Sequence, residues 1–378
     1  MAADAAAVET KRRLVRRPLL RWYRRAKRDL PWRRTTDAYA IWVSEVMLQQ
    51  TTVAAVIPYW QRFLDRFPDA AALAASEEEQ VLALWSGLGY YGRARSLRKG
   101  AIAVMERHGG RVPGDAEALQ ELPGVGRYTA GAIASLAFGK ETPVVDGNVK
   151  RVFSRLFAIR GSGAKVESTY WSAAATLVRG SSPGDWNQAL MELGATVCTP
   201  RTPRCDACPV ENACDARRLG TPESFPSPVK AAPVKSATVA VAWIEQKGRV
   251  LLVPRAADAP FRGTWDLPAA FVPPSEAPDR AIARALSTRF GLQARVGAAV
   301  VKARHSILTT RLAIDVFTAT PLGTPPKRAE LRWVRVDELR DVAVSGATTK
   351  IARAVAAQSR SHVRRSSPAS GSRGRKSA

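Results

Sequence analysis

Residues 220–233 carry four prolines in fourteen positions, and the hydrophobic period changes across them. Before this stretch apolar residues recur at three- and four-residue spacing, as in Tyr39–Leu48, Glu79–Leu84 and Tyr128–Leu136, which is the period of helices. Clusters such as Arg66-Phe-Pro-Asp69 and Val112-Pro-Gly-Asp115 keep those helices to ordinary length. Beyond it, Ala237–Ile244, Arg249–Val253, Ala298–Ala303, Leu312–Phe317 and Leu331–Val336 have the look of strands, with one amphipathic helix over Pro278–Phe290. A chain that changes period across a proline-rich linker folds as two domains, here mainly α and then α+β. Its 378 residues suffice for two cores. The expected boundaries are a disordered N-terminus at 1–10, a helical domain at 11–216 and a linker at 217–236. An α+β domain follows at 237–345, then a C-terminal helix at 346–358. The Ser- and Arg-rich residues 359–378, without an acid, Phe, Trp or Tyr, are expected to be a disordered basic tail.

Charge narrows the choice of partner. Lys and Arg number 58 against 33 Asp and Glu, a net charge of +25. Such an excess sets no fold but favours a polyanion. Anionic membrane is the competing partner, yet no apolar run approaches the roughly 20 residues that cross a bilayer. Residues 1–14 also lack the uninterrupted apolar core of a secretory signal. The expectation is a monomer in the cytoplasm, associated with the nucleoid and not with membrane. Lys11–Arg28 is the densest basic stretch, ten residues of eighteen, with Leu14, Leu19, Leu20, Trp22 and Tyr23 interleaved. It reads as a helix with one buried stripe and one positive face, which either meets an anion or only water.

The three histidines, His108, His305 and His362, are scattered, leaving little for a Ser-His-Asp arrangement or a His-rich metal site. The four cysteines, Cys198, Cys205, Cys208 and Cys214, lie within seventeen residues. A disulfide scaffold would spread them through a small secreted chain, whereas clustering in a large chain points to metal. Four thiolates can wrap one iron–sulfur cluster. Structural zinc is the alternative, although zinc knuckles usually show two short cysteine pairs and this spacing is asymmetric.

Two carboxylates and one glycine-rich turn carry possible chemistry. Glu45 is surrounded by apolar residues on almost every helical face, so it is either a surface residue or a carboxyl in an apolar pocket. Only the second would raise its pKa enough to keep a proton near neutral pH. Asp146 sits where a helix begins; there Asp is a common cap, yet the same N–H groups keep a carboxylate ionised. Leu122-Pro-Gly-Val-Gly126 joins two helices. Gly124 and Gly126 let the backbone come close to a ligand, and the next helix presents free N–H groups suited to phosphate, unless this is only a helix–helix turn.

In order and spacing, Trp42-Val-Ser-Glu-Val-Met-Leu-Gln-Gln-Thr51, Trp85-Ser-Gly-Leu-Gly-Tyr-Tyr-Gly-Arg-Ala-Arg95, the turn at 122–126, Val145-Asp-Gly-Asn-Val-Lys-Arg151 and the cysteines resemble the MutY-type adenine glycosylases of the endonuclease III superfamily. The resemblance is dense over residues 20–215 and looser beyond. It implies a helix-hairpin-helix glycosylase domain with one 4Fe–4S cluster on the four cysteines, in the loop 198–214. It also implies double-stranded DNA with adenine opposite 8-oxoguanine or guanine as substrate. Adenine leaves only once a ring nitrogen is protonated, so the resemblance makes Glu45 the acid and Asp146 the stabiliser of the oxocarbenium ion, two carboxylates in different environments. Tyr128 and Asn148 fall on family members of that constellation, and Glu192 on a residue near the adenine. Gln50, Leu88 and Tyr90 match residues that fill or wedge the stack once the nucleotide is flipped out. Gly124, Gly126 and Lys150 are further expected DNA contacts. Tyr128 replaces the Schiff-base lysine of the bifunctional sibling class, so efficient lyase activity is not expected. A thymine-mismatch glycosylase, or a DNA-binding protein without catalysis, are the competing readings.

The second domain resembles the Nudix-like domain with which this family senses 8-oxoguanine. Active Nudix hydrolases hold magnesium with a glutamate-rich helix; the aligned Arg284-Ala-Leu-Ser-Thr-Arg289 has none of those glutamates. The family's sensing loop carries Phe-Ser-His shortly after a histidine. Here His305 is followed by Ser306-Ile-Leu-Thr-Thr-Arg311, which sets Leu308 in place of the serine, or Ser306, Thr309 or Thr310 if the alignment slips.

Overall fold

The structure is a computed structural model and describes residues 5–228, 233–255, 263–307, 309–323 and 331–366, of which 359–366 by backbone only. It divides into two units, Met1–Val81 with Gly92–Ala231, and Leu82–Tyr91 with Ala232–Ala378.

The first unit is helical. It opens with α1 (Ala5–Ala26), α2 (Ala38–Leu48) and α3 (Val53–Arg66), followed by the short α4 (Ala70–Ala74) and α5 (Glu78–Trp85), whose last turn groups with the second unit. Next come α6 (Gly92–His108), α7 (Ala116–Gln120), α8 (Arg127–Phe138) and α9 (Gly147–Leu156). Two longer helices, α10 (Ala164–Leu177) and α11 (Pro183–Thr196), precede the cysteine loop and α12 (Asp215–Arg218). Nearly all of α2 is buried, Tyr39 through Met47, as expected of a helix apolar on every face. Asp37 caps it, accepting from the N–H groups of Tyr39 and Ala40. α6 crosses it so closely that a Cβ on Gly100 would sit 2.6 Å from the Trp42 ring.

The second unit holds β1 (Lys235–Trp243), β2 (Glu245–Gln246), β3 (Arg249–Pro254), β4 (Trp265–Asp266) and β5 (Ala269–Phe271). After α13 (Pro278–Thr288) come β6 (Ala294–Ile307), β7 (Thr310–Pro321), β8 (Arg332–Arg335) and α14 (Gly346–Ser366). One sheet runs β5-β1-β7-β6, with β1 and β7 parallel; β3 gathers β2, β4 and β8 into a second. The helix at 278–288 and all five strands fall where the period placed them. The short β2, β4 and β5 have too few residues to show a period.

Three expectations need correction. Residues 5–10 are helical rather than loose: Val8 is buried with Val15, Leu19 and Tyr23, and Lys11 pairs with Asp215 at 3.0 Å. The linker does not begin as an extended chain at 217. Pro222 and Phe225 are buried, and the buried Arg155 donates to both their carbonyls (2.9 and 3.0 Å), which ties the segment to the helical unit. The last helix runs through Ser366, eight residues into the expected tail; Ala, Arg and Ser without a proline until Pro368 allow it.

Candidate active site

The carboxylates at 45 and 146 meet in one cavity of about 700 Å³, whose wall also includes Trp32, Gln50, Tyr128, Asn148 and Glu192. Glu45 reaches it from the centre of α2 and is buried. The hydroxyl of Tyr128, the second residue of α8, donates to Glu45 Oε2 at 2.8 Å and lies 3.3 Å from Met191 Sδ. Asp146 reaches it from the start of α9. Its Oδ1 accepts from the Val149 N–H at 2.7 Å and its Oδ2 from Asn148 Nδ2 at 2.9 Å. The approach to Asp146 depends on Gly131, where a Cβ would lie 2.3 Å from the Pro143 carbonyl oxygen. On the far side Gly194 admits the Asn148 backbone, a Cβ there lying 2.6 Å from that of Asn148.

Asp146 thus caps α9, and the cap leaves its side chain on the cavity wall. Of the two readings of Glu45, the buried one is observed. Burial drives its pKa up, opposed by the Tyr128 hydrogen bond and reinforced by the Asp146 charge, to about 7. Burial likewise pushes the Tyr128 phenol well above its ordinary value. Near neutral pH the cavity thus holds a carboxyl able to give a proton beside a capped carboxylate.

Glu192 is fully buried, yet both its oxygens are already taken. Arg28 donates to it with Nε (2.8 Å) and Nη2 (2.9 Å), and Arg33 with Nη2 (2.8 Å). Burial alone would raise its pKa, but these guanidinium bonds outweigh it and hold the carboxyl at about 2. It is an anion fixed in the wall, and Arg28 and Arg33 join the cavity through it.

Gln50 stands exposed just past α2 with φ +57°, a left-handed conformation rare for a side chain other than glycine or asparagine. Arg93 explains it. One guanidinium nitrogen donates to the carbonyls of Val46, Met47 and Gln49 and the other to the Thr51 hydroxyl, closing the helix end that would otherwise leave those groups unpaired. Leu88 and Tyr90 belong to the second unit: Leu88 is buried, whereas Tyr90 is partly exposed with φ +50°. In the same segment the Tyr91 hydroxyl donates to the Val344 carbonyl at 2.6 Å.

The 122–126 turn is closed by Val125 N–H to the Leu122 carbonyl (3.0 Å). Gly124 has φ +80° and a Cβ would fall 2.4 Å from that of Ser96, so only glycine fits. Gly126 caps α8 without a side-chain bond, so no side chain of the cap satisfies the first-turn N–H groups. Arg127 stacks over Trp171 at 3.9 Å from the ring centre, and Lys150 pairs with Glu167 at 2.8 Å.

All four cysteines line one small cavity with Arg155 and Arg217. Burial pushes the Cys208 thiol up to about 12. Among the described residues no three His, Cys, Asp or Glu side chains converge tightly enough for one metal ion. Arg155 donates to Cys198 Sγ at 3.3 Å, and Arg151 bonds the carbonyls of Cys198 (2.8 Å) and Gly194 (2.7 Å) and Asn148 Oδ1 (2.8 Å). A continuous chain of hydrogen bonds runs from the cysteine loop through Arg151 and Asn148 to Asp146.

Arg28, Arg33, Arg93, Arg151 and Arg155 were not singled out by sequence. Among 58 basic residues a buried arginine carries no local mark, although Arg93 and Arg151 lie inside the motifs themselves. In the second unit, β6 and β7 form a hairpin in which Ile307 faces Thr310; Leu308 lies outside the described residues. Arg284 of α13 pairs with Glu276 at 2.7 Å.

Comparison with known proteins matches residues 43–175 to the HhH-GPD superfamily of base excision DNA repair proteins and residues 239–354 to the NUDIX domain. The human adenine DNA glycosylase is 40% identical over 398 residues, covering 89% of this chain and 72% of that one. The adenine DNA glycosylase of Mycolicibacterium smegmatis is 45% identical over 207 residues, covering 54% of this chain and 70% of its own. Among solved structures, a thermostable thymine-DNA glycosylase superposes on 57% of this chain and all of its own, at TM-score 0.52 and 32% identity.

Proposed function

The chain belongs to the adenine DNA glycosylase family, and from that premise we propose that it hydrolyses the N-glycosidic bond of adenine mispaired with 8-oxoguanine or guanine in duplex DNA. One observation carries the reading: a protonatable Glu45 and a capped carboxylate, Asp146, face the same cavity. With the nucleotide flipped in, Glu45 gives its proton to a ring nitrogen of the base, which lets adenine leave. Asp146 then offsets the positive charge that develops on the sugar, and water completes the hydrolysis. Tyr128 orients the Glu45 carboxyl, and Asn148 the Asp146 carboxylate. Gln50 fills the vacated stack, the 122–126 turn holds phosphate, and Lys150 is a further DNA contact.

The test is incubation of the purified protein with duplexes holding A opposite 8-oxoguanine, A opposite G, and T opposite G, followed by cleavage at abasic sites. Abasic sites on the two adenine duplexes are expected. The thymine reading has the likeness to the thymine-DNA glycosylase behind it; product only on the T:G duplex would replace adenine with thymine. Binding without any product would favour a DNA-binding protein that lacks catalysis.

The four cysteines hold one 4Fe–4S cluster, whose contribution is to cross-link the 198–214 loop rather than to react. Cys198→Ser should therefore lose the brown absorbance and duplex affinity together, read by visible spectroscopy and DNA binding. Equimolar zinc without iron in anaerobically purified protein would refute the cluster.

With Leu308 where the family has a hydroxyl, one hydrogen bond to 8-oxoguanine is missing, on the order of 1 kcal/mol. The expected outcome is excision opposite both guanine and 8-oxoguanine with weak discrimination, sharpened by Leu308→Ser. Strong preference for 8-oxoguanine in the wild type, unchanged by the substitution, would remove position 308 from the argument. The working place of such a protein is the nucleoid, as a monomer on DNA.

A further inference from the structure

Helix α1 carries more positive charge than its fold uses. Several of its basic residues are engaged within the unit. Arg12 and Arg13 face Glu9, and Arg16 donates to the carbonyl oxygens of Leu177 and Val178. Arg24 faces Asp185, and Arg28, just past the helix end, binds Glu192. Arg17, Arg21 and Arg25 differ. They are exposed, and among the described residues none of them makes a hydrogen bond, ion pair or ring contact. At 100° per residue the three fall within an 80° arc, opposite the side that buries Val15, Leu19 and Tyr23. Like charges four residues apart on one helix repel and destabilise it, so this stripe has no use in folding.

We propose that Arg17, Arg21 and Arg25 form a phosphate track that holds undamaged duplex DNA along α1. The inference rests on the reading that this chain acts on DNA. Arg17 to Arg25 spans about 12 Å of helix axis, the axial length of three to four successive phosphates of one strand. The helix that carries the track also runs between two parts of the unit already described. α1 begins against the cysteine loop, where Lys11 meets Asp215, and the chain just beyond its end supplies Arg28 to the cavity wall. Arginine suits the role because its fork binds phosphate oxygens and never loses its charge.

The experiment measures the affinity of the full-length protein for an undamaged duplex between 50 and 200 mM salt. Wild type is compared with the triple variants Arg17→Gln/Arg21→Gln/Arg25→Gln and Arg17→Lys/Arg21→Lys/Arg25→Lys. Each phosphate contact contributes about 0.9 to the slope of log affinity against log salt, so losing three flattens it by about 2.7. Over that fourfold salt range the wild type should lose about 40-fold more affinity than the glutamine variant, and the lysine variant should keep most of the wild-type slope. A glutamine variant with the wild-type slope overturns the track. Equal losses in the glutamine and lysine variants overturn it as well, since the effect would then not be charge. Whether the chain excises adenine is read separately on the wild type, so failure of that activity and failure of the track are told apart.

Discussion

Asp146→Asn should lower single-turnover adenine excision by roughly 10²–10³-fold, the loss typical of removing one well-placed electrostatic partner of a transition state, with duplex binding within a few-fold of wild type. Asparagine is as good a helix cap as aspartate and keeps an oxygen for the Val149 N–H, so α9 stays in place. What disappears is the negative charge facing the sugar. The Asn148 amide, which now donates to Oδ2, would meet a second amide and must turn over. Excision at the wild-type rate under saturating enzyme would sink the assignment of Asp146.

Glu45→Gln should cost about 10²–10⁴-fold, the range for a general acid, and should change two pH profiles in opposite ways. In the wild type, excision should fall as pH rises through about 7, where burial sets the carboxyl's ionisation. The variant should show no step there. For stability, the folded protein holds this proton up to about 7 while the unfolded chain releases it near 4.5. The contribution is thus complete below 4.5 and is lost as pH rises through 7. A shift of that size corresponds to about 3 kcal/mol. Glutamine has no charge to bury, so the variant should be the more stable protein at pH 8, with the gap closing toward pH 4 in denaturant titrations. A wild-type profile without that ionisation, or a variant no more stable at pH 8, would remove the acid role from Glu45.

Much of the architecture was legible because it is periodic. The switch of period at 220–233 separated the helical part from the strands, and the apolar residues of 39–48 announced a helix around Glu45. Two glycines marked the 122–126 turn, one of which has a left-handed backbone. What stayed hidden depends on partners far along the chain. Glu192 was placed near the base, but its clamp comes from residues 159 and 164 positions away. Whether Glu45 was exposed or buried could not be told until α8 supplied Tyr128. The linker misled because proline content was weighed without Arg155, which supplies bonds to its carbonyls. The tail misled for the opposite reason, since a composition typical of disorder also lacks any helix breaker before Pro368.

The Arg93 clamp on the end of α2 has a mechanical consequence. Glu45 and Gln50 are five residues apart, roughly 7.5 Å along a helix, and the clamp fixes the turn that sets Gln50 at a defined distance from the rod carrying Glu45. On the proposed function, the side chain that would plug the gap in the duplex and the group that would protonate the extruded base are therefore parts of one lever. Depth of insertion into the DNA and depth of the proton donor in the cavity cannot be adjusted independently. Lengthening α2 by one residue would swing Gln50 by about 100° around the axis relative to Glu45. Opening the helix and cutting the glycosidic bond would then fall out of step, even with every reacting group still present.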